Sequence, residues 1–120
     1  MEKKQAKISL VLPFAPFSAN AMYQCARGRI ILSKKARDFK LDVANHLSRL
    51  GAKRIKGKIS LTLIFMFKDK RRRDLDNMLK PLLDALKNSL FDDDSMIQKI
   101  SARKILSGES NSIGICVKPC

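Results

Sequence analysis

With 120 residues, 45% of them apolar and only five glycines, the chain is long enough for one packed domain and too short for two, and its composition is neither disordered nor fibrous. Its 25 Lys and Arg against 11 acids leave a net charge of +14, which points to a polyanionic partner. No apolar run approaches the ~18 residues of a spanning helix. Nucleic acid is therefore favoured over a membrane, and the lone His46 removes most zinc-hydrolase and Ser–His schemes.

In chain order, Glu2-Lys3-Lys4, the apolar stretch 8–17 and Ala19-Asn20-Ala21 imitate a secretion signal. Pro13 and Pro16 interrupt that stretch, however, and Ile8, Leu10 and Leu12 alternate with Ser9 and Val11, so a strand ending at Pro13 is the better reading. Residues 14–32 form a loop with a turn at Arg27-Gly28-Arg29 and room for a small hairpin including Ile30 and Ile31. Ser33 is placed to cap a helix carrying Ala36, Phe39, Val43, Leu47 and Leu50, with Gly51 as its stop. His46 sits on that helix as a partly buried or surface histidine.

After a basic connector at 53–58, Ile59, Leu61, Leu63, Phe65 and Phe67 alternate with Ser60, Thr62, Ile64 and Met66. Apolar residues on both phases predict a central strand covered on both faces. The strand runs into Lys68-Asp69-Lys70-Arg71-Arg72-Arg73. A second helix follows on Leu75, Met78, Leu79, Leu82, Leu83, Leu86 and Leu90. Pro81 belongs in its first turn, because an interior proline loses a hydrogen bond and clashes with the preceding turn; residues 74–80 then lead into the helix. Residues 91–95 form an acidic loop, and 97–106 and 112–117 read as two strands joined by a turn through 108–111. The order predicts a single α+β domain spanning 1–120, with two main helices packed on a mixed or antiparallel sheet.

The acids Asp74, Asp76, Asp92, Asp93 and Asp94 concentrate at element boundaries. Two carboxylates two positions apart at the end of a buried strand can face one ion, and a third from the 92–94 loop could close the cage. Oxygen donors without His or Cys suit Mg²⁺ or Mn²⁺. The plainer alternative is that Asp74 caps a helix and 92–94 is a solvated turn. The surrounding charge favours the site: Arg71, Arg72 and Arg73 abut the carboxylates, a mixture suited to a phosphodiester at a metal. Lys80 either stabilises developing negative charge or pairs on the surface with Asp76 or Asp84. Lys68, Lys70, Lys99, Arg103 and Lys104 extend a phosphate-contact surface. With no Trp, one Tyr and six Phe mostly in apolar patterns, a duplex backbone is a better target than stacked single-stranded bases. Cys25, Cys116 and Cys120 lack ligand spacing, which predicts free thiols in a reducing cytoplasm.

The chain resembles the RusA family of Holliday junction resolvases. The resemblance is carried by Arg71-Arg72-Arg73-Asp74-Leu75-Asp76-Asn77, then Lys80, then Leu82-Leu83-Asp84-Ala85-Leu86, then Asp93-Asp94-Ser95. It implies that Asp74, Asp76 and an aspartate of the later pair are catalytic and hold the metal, with Lys80 assisting. Asp94 matches the third acid best, and Asp93 remains open because the run permits a one-residue slip. It also implies an α+β homodimer of bacterial or phage origin that uses Mg²⁺ or Mn²⁺ and no small-molecule cofactor, nicking four-way DNA junctions in pairs during recombination and repair. Arg71, Arg72, Arg73, Lys70, Lys68, Asn77 and Asn20 are the expected DNA contacts. Two departures stand out. Adjacent prolines frequent in the family before Ser-x-Asn are here Pro16-Phe17-Ser18-Ala19-Asn20, and Met96 stands where glutamine is frequent. The rival from another class is a non-catalytic basic nucleic-acid-binding protein, which explains the charge but leaves the acidic cluster without a purpose.

Overall fold

The computed structural model describes residues 7–120; Glu2-Lys3-Lys4, and with it the basic lead of the signal-like segment, lies outside them. Strand β1 (Ile8–Leu12) stands where a signal's apolar stretch would be. A 3₁₀ turn at Ala19–Ala21 leads into a hairpin of β2 (Tyr23–Ala26) and β3 (Arg29–Leu32). Helix α1 (Lys34–Arg49), strand β4 (Ile59–Met66), helix α2 (Asp76–Leu86), and strands β5 (Ile97–Ile105) and β6 (Ser112–Pro119) follow.

Helix α1 begins and ends where its sequence signals lie. Ser33 Oγ accepts from the Ala36 N–H at 3.1 Å, satisfying one orphan donor of the first turn. At the other end the Gly51 N–H reaches the Ser48 carbonyl at 3.0 Å and the Ala52 N–H reaches Leu47 at 3.1 Å. This paired closure needs a left-handed residue, and Gly51 supplies φ +67°. His46 is half-buried, its Nε2 3.2 Å from the Val11 carbonyl, and its ring meets Phe14 edge-on.

The sheet order is β1-β6-β4-β5. Strands β5 and β6, two strands joined by a turn as expected, are separated in the sheet by β4, which is antiparallel to β6 and parallel to β5. The most apolar strand takes both neighbours, leaving the more polar β5, with Lys99, Ser101 and Arg103 exposed, at an edge. One expectation needs correcting: β4 is not covered on both faces. Ile59, Leu61, Leu63 and Phe65 are fully buried, whereas Thr62 is exposed and Ile64 and Met66 only half-buried. Phe39, Val43 and Leu47 of α1 share one core with Leu82, Ala85 and Leu86 of α2, on the face carrying Ile113, Ile115 and Val117. Both helices thus serve one side. Each large apolar side chain fully buried there contributes about 1.5–3 kcal/mol.

Pro81 also differs from expectation, since it sits inside α2 rather than in its first turn. The chain is already helical at Leu75, with Asn77 and Met78 N–H groups bonded to the Asp74 and Leu75 carbonyls at 3.2 Å. Proline at position 81 leaves the Asn77 carbonyl without its usual donor four residues on. Burial of Met78, Pro81, Leu82, Ala85 and Leu86 on one stripe offsets that loss.

Candidate active site

The site starts where β4 leaves the sheet. The Phe67 N–H bonds the Ile105 carbonyl at 2.9 Å, the Gly108 N–H bonds Phe67 O at 2.8 Å, and the Lys68 N–H bonds Asn111 Oδ1 at 2.9 Å. The β5–β6 turn therefore clamps the strand end. The approach at Gly108 is close: a Cβ there would lie 2.5 Å from the Met66 side chain, which would have to move.

Past this clamp, Asp69 organises the arginines. Its carboxylate receives Arg73 Nη1 at 2.6 Å and Nη2 at 3.2 Å, and the Arg71 N–H at 3.0 Å. The Arg73 guanidinium also lies 3.9 Å over the Phe67 ring, a cation–π contact. These donors, Arg73 first and the Arg71 amide second, hold the Asp69 carboxyl far below the ordinary carboxylate range. Lys104 Nζ donates to the Arg73 carbonyl. Arg73 is thus a latch for the loop, with its fork already occupied, while Arg71 is exposed and 3.4 Å from Asp69.

Beside the latch opens a cleft of about 380 Å³ lined by Pro16, Ser18, Asn20, Phe67, Arg72, Arg73, Asp74, Asn77 and Met78. Of the expected residues it gathers Asn20, Arg72, Arg73, Asp74 and Asn77. Asp76 is the exposed first residue of α2, where the helix dipole favours negative charge. Lys68, Lys70 and Lys80 are exposed outside the lining. Lys80 takes the surface alternative, its Nζ 3.6 Å from Asp84.

The later acids are placed by the turn after α2. Asn88 adopts φ +69° and its N–H bonds the Phe91 carbonyl at 2.7 Å, while Leu90 and Phe91 plug fully into the core. The acids that follow differ in their engagement. Asp92 pairs with Arg54 at 2.8 Å. Asp93 accepts from the Ser95 hydroxyl and its N–H and lies 3.3 Å from Lys87 Nζ. The Ser95 donors, then Lys87, lower the Asp93 carboxyl to about 2. Asp74, Asp76 and Asp94 have no side-chain partner among the described residues. Among those same residues no group of three or more His, Cys, Asp or Glu is close enough to hold a metal ion. The donor chemistry of the three unengaged carboxylates fits a hard divalent cation, but they are not gathered into a ready cage.

Sequence reasoning passed over Asp69 and Phe67 as the latch for Arg73. The four-residue Asp69–Arg73 spacing was the available signal, obscured because the intervening residues are not helical. The comparisons with known proteins bear on this same stretch. Residues 13–118 match the family model described as Endodeoxyribonuclease RusA. The chain belongs to the RusA family. A relative from Enterobacteria phage HK97, "Crossover junction endodeoxyribonuclease rusA", is 31% identical over 107 residues, covering 88% of each chain. The cleft, the latch and the acidic turn all fall within the span matched by the RusA model.

Proposed function

We propose that this RusA-family chain cuts four-way DNA junctions by phosphodiester hydrolysis, using Asp74, Asp76 and Asp94 to hold Mg²⁺ or Mn²⁺. The observation that carries this reading is the pattern of engagement: these three acids keep unpartnered carboxylates, whereas Asp92 and Asp93 are tied to neighbouring groups. Asp94 is accordingly preferred over Asp93 as the third acid. A divalent ion held here would acidify water and neutralise charge at the phosphate.

The protein groups have separate tasks. Arg72, at the mouth of the cleft, is suited to a phosphate oxygen, since its guanidinium has no carboxylate partner among the described residues. Asn20 and Asn77 offer amides on the cleft walls. Arg73 holds the loop rather than the substrate. Lys80 pairs with Asp84 in an exposed, weak contact that a phosphate can displace. Mg²⁺ commonly takes one or two carboxylates and completes its shell with water and substrate phosphate. Asp74 and Asp76 could therefore bind first, with Asp94 joining when DNA is present. A homodimer with two-fold symmetry would address opposing strands of a symmetric junction.

The test is nicking of a labelled four-way junction with and without Mg²⁺, alongside calorimetric titration of the protein with Mn²⁺. Wild type should give metal-dependent paired nicks. Asp74→Asn and Asp76→Asn should each slow cutting on the order of a thousandfold, as loss of several kcal/mol of metal-derived stabilisation requires, and should weaken Mn²⁺ binding while junction binding survives. Undiminished cutting by both variants would refute the assignment. Tight binding by wild type without any cutting would favour the non-catalytic reading.

A further inference from the structure

The β2–β3 hairpin makes a two-stranded sheet of its own and does not join the main sheet. Its loop is the two residues Arg27 and Gly28, with φ +52° and +75°, as a tight twisted hairpin requires. An isolated ribbon of this size is marginal alone, and here it is anchored at its base. The Ser33 N–H bonds the Met22 carbonyl at 2.9 Å, and Ser33 Oγ donates to the Ala21 carbonyl at 2.6 Å. Tyr23 and Leu32, opposite each other, sit at an apolar hollow with Phe17, Phe39 and Pro81. Beyond that base the ribbon is uncovered: Ile30 is 76% exposed, and Gln24, Cys25, Arg27 and Arg29 are all exposed.

The charge around this ribbon has one sign. No acid occurs between Glu2 and Asp38, yet Arg27, Arg29, Lys34, Lys35 and Arg37 lie on the ribbon or at the start of α1. None of these five has a salt-bridge partner among the described residues. A second copy of a +14 chain would bring like charge to this surface, whereas a nucleic-acid backbone would neutralise it. A two-stranded ribbon also has the dimensions that a duplex major groove admits. Finally, the segment leading into the ribbon contains Ser18 and Asn20, which line the cleft beside Asp74. The chain that forms one wall of the cleft thus runs directly into the ribbon.

We propose that the β2–β3 ribbon is a DNA-contacting arm that enters the groove of one duplex arm of the substrate, with Arg27 and Arg29 on phosphates, and so positions the scissile strand at the Asp74 cleft. This rests on the reading of the chain as a nuclease of branched DNA. Cys25 and Ile30 share one face of the ribbon, which turns the thiol into a reporter of occupancy.

The experiment measures junction binding against salt in EDTA for wild type and the Arg27→Ala/Arg29→Ala double variant. The log–log slope of the variant should be shallower by about two, so that between 50 and 200 mM salt wild type loses roughly tenfold more affinity than the variant does. Junction DNA should also slow alkylation of Cys25 while leaving the exposed Cys120 reactive. An unchanged slope, or a Cys25 that DNA does not protect, would overturn the proposal. So would an Ile30→Ser variant that falls to half the wild-type mass in sedimentation with its salt slope intact, because the ribbon would then serve a second copy. The binding series needs no cleavage, so a wild type that binds but never cuts refutes the nuclease reading without deciding the ribbon's role.

Discussion

The segment 71–77 and the turn 92–95 look alike as strings, since each sets carboxylates at the boundary of an element in a strongly basic chain. In the folded molecule they are opposites. In the first, the carboxylates Asp74 and Asp76 stay unpartnered, while a cation of the motif, Arg73, is occupied by Asp69 from outside it. In the second, two of three carboxylates are occupied, Asp92 by Arg54 and Asp93 by Lys87 and Ser95, leaving Asp94. Which charges remain available for a metal or a phosphate is thus decided by pairing in the folded molecule, and the density of charge along the chain does not reveal it. The Asp69–Arg73 latch also shows that an arginine beside unpartnered acids can serve the loop's shape.

This contrast is sharpest at the third acid. Asp94→Asn should reduce junction cutting nearly as much as Asp76→Asn, on the order of a thousandfold, whereas Asp93→Asn should cost less than about tenfold. Single-turnover rates at saturating Mg²⁺ distinguish them, and the reverse order would assign the ligand to Asp93. The latch gives the next largest effect. Arg73→Ala loses the Asp69 bonds and the Phe67 stacking, and should lower the melting temperature by about 5 °C. Arg73→Lys should recover little, because an ammonium cannot bind the carboxylate in two places. If Arg73→Ala melted like wild type while its junction affinity collapsed, Arg73 would belong to the DNA interface after all.

The smallest effect is the pH dependence of the second segment. Asp93 is held at about 2 by the Ser95 donors and then Lys87, below the ordinary carboxylate value of about 3.9. A carboxyl lowered in the folded state stabilises the fold above its unfolded value, and that contribution is lost as pH falls through the folded one. The gap in urea midpoint between wild type and Asp93→Asn should therefore be constant above about pH 4 and close as pH approaches 2. Asp69, depressed in both proteins, cancels from the difference. A gap that persisted to pH 2 would mean that the side chain's shape, rather than its charge, fixes the turn.

Much of this molecule was legible from residue order alone. Local rules set α1, because its cap Ser33 and its stop Gly51 act within a turn of the helix ends. The alternation of β4 made it central, and the motif 71–77 with its downstream acids carried the family. Tertiary structure decided the rest. Strand order depends on which edges β4 pairs with, so no local signal could place β4 between β5 and β6. Pro81 is tolerated inside α2 because an apolar stripe packs against the core, and that compensation is not a local property. The identity of the unengaged acids depends on ion pairs such as Arg54 with Asp92, whose partners come from distant parts of the chain. Residue order thus named the chemistry, and packing selected the side chains left available to perform it.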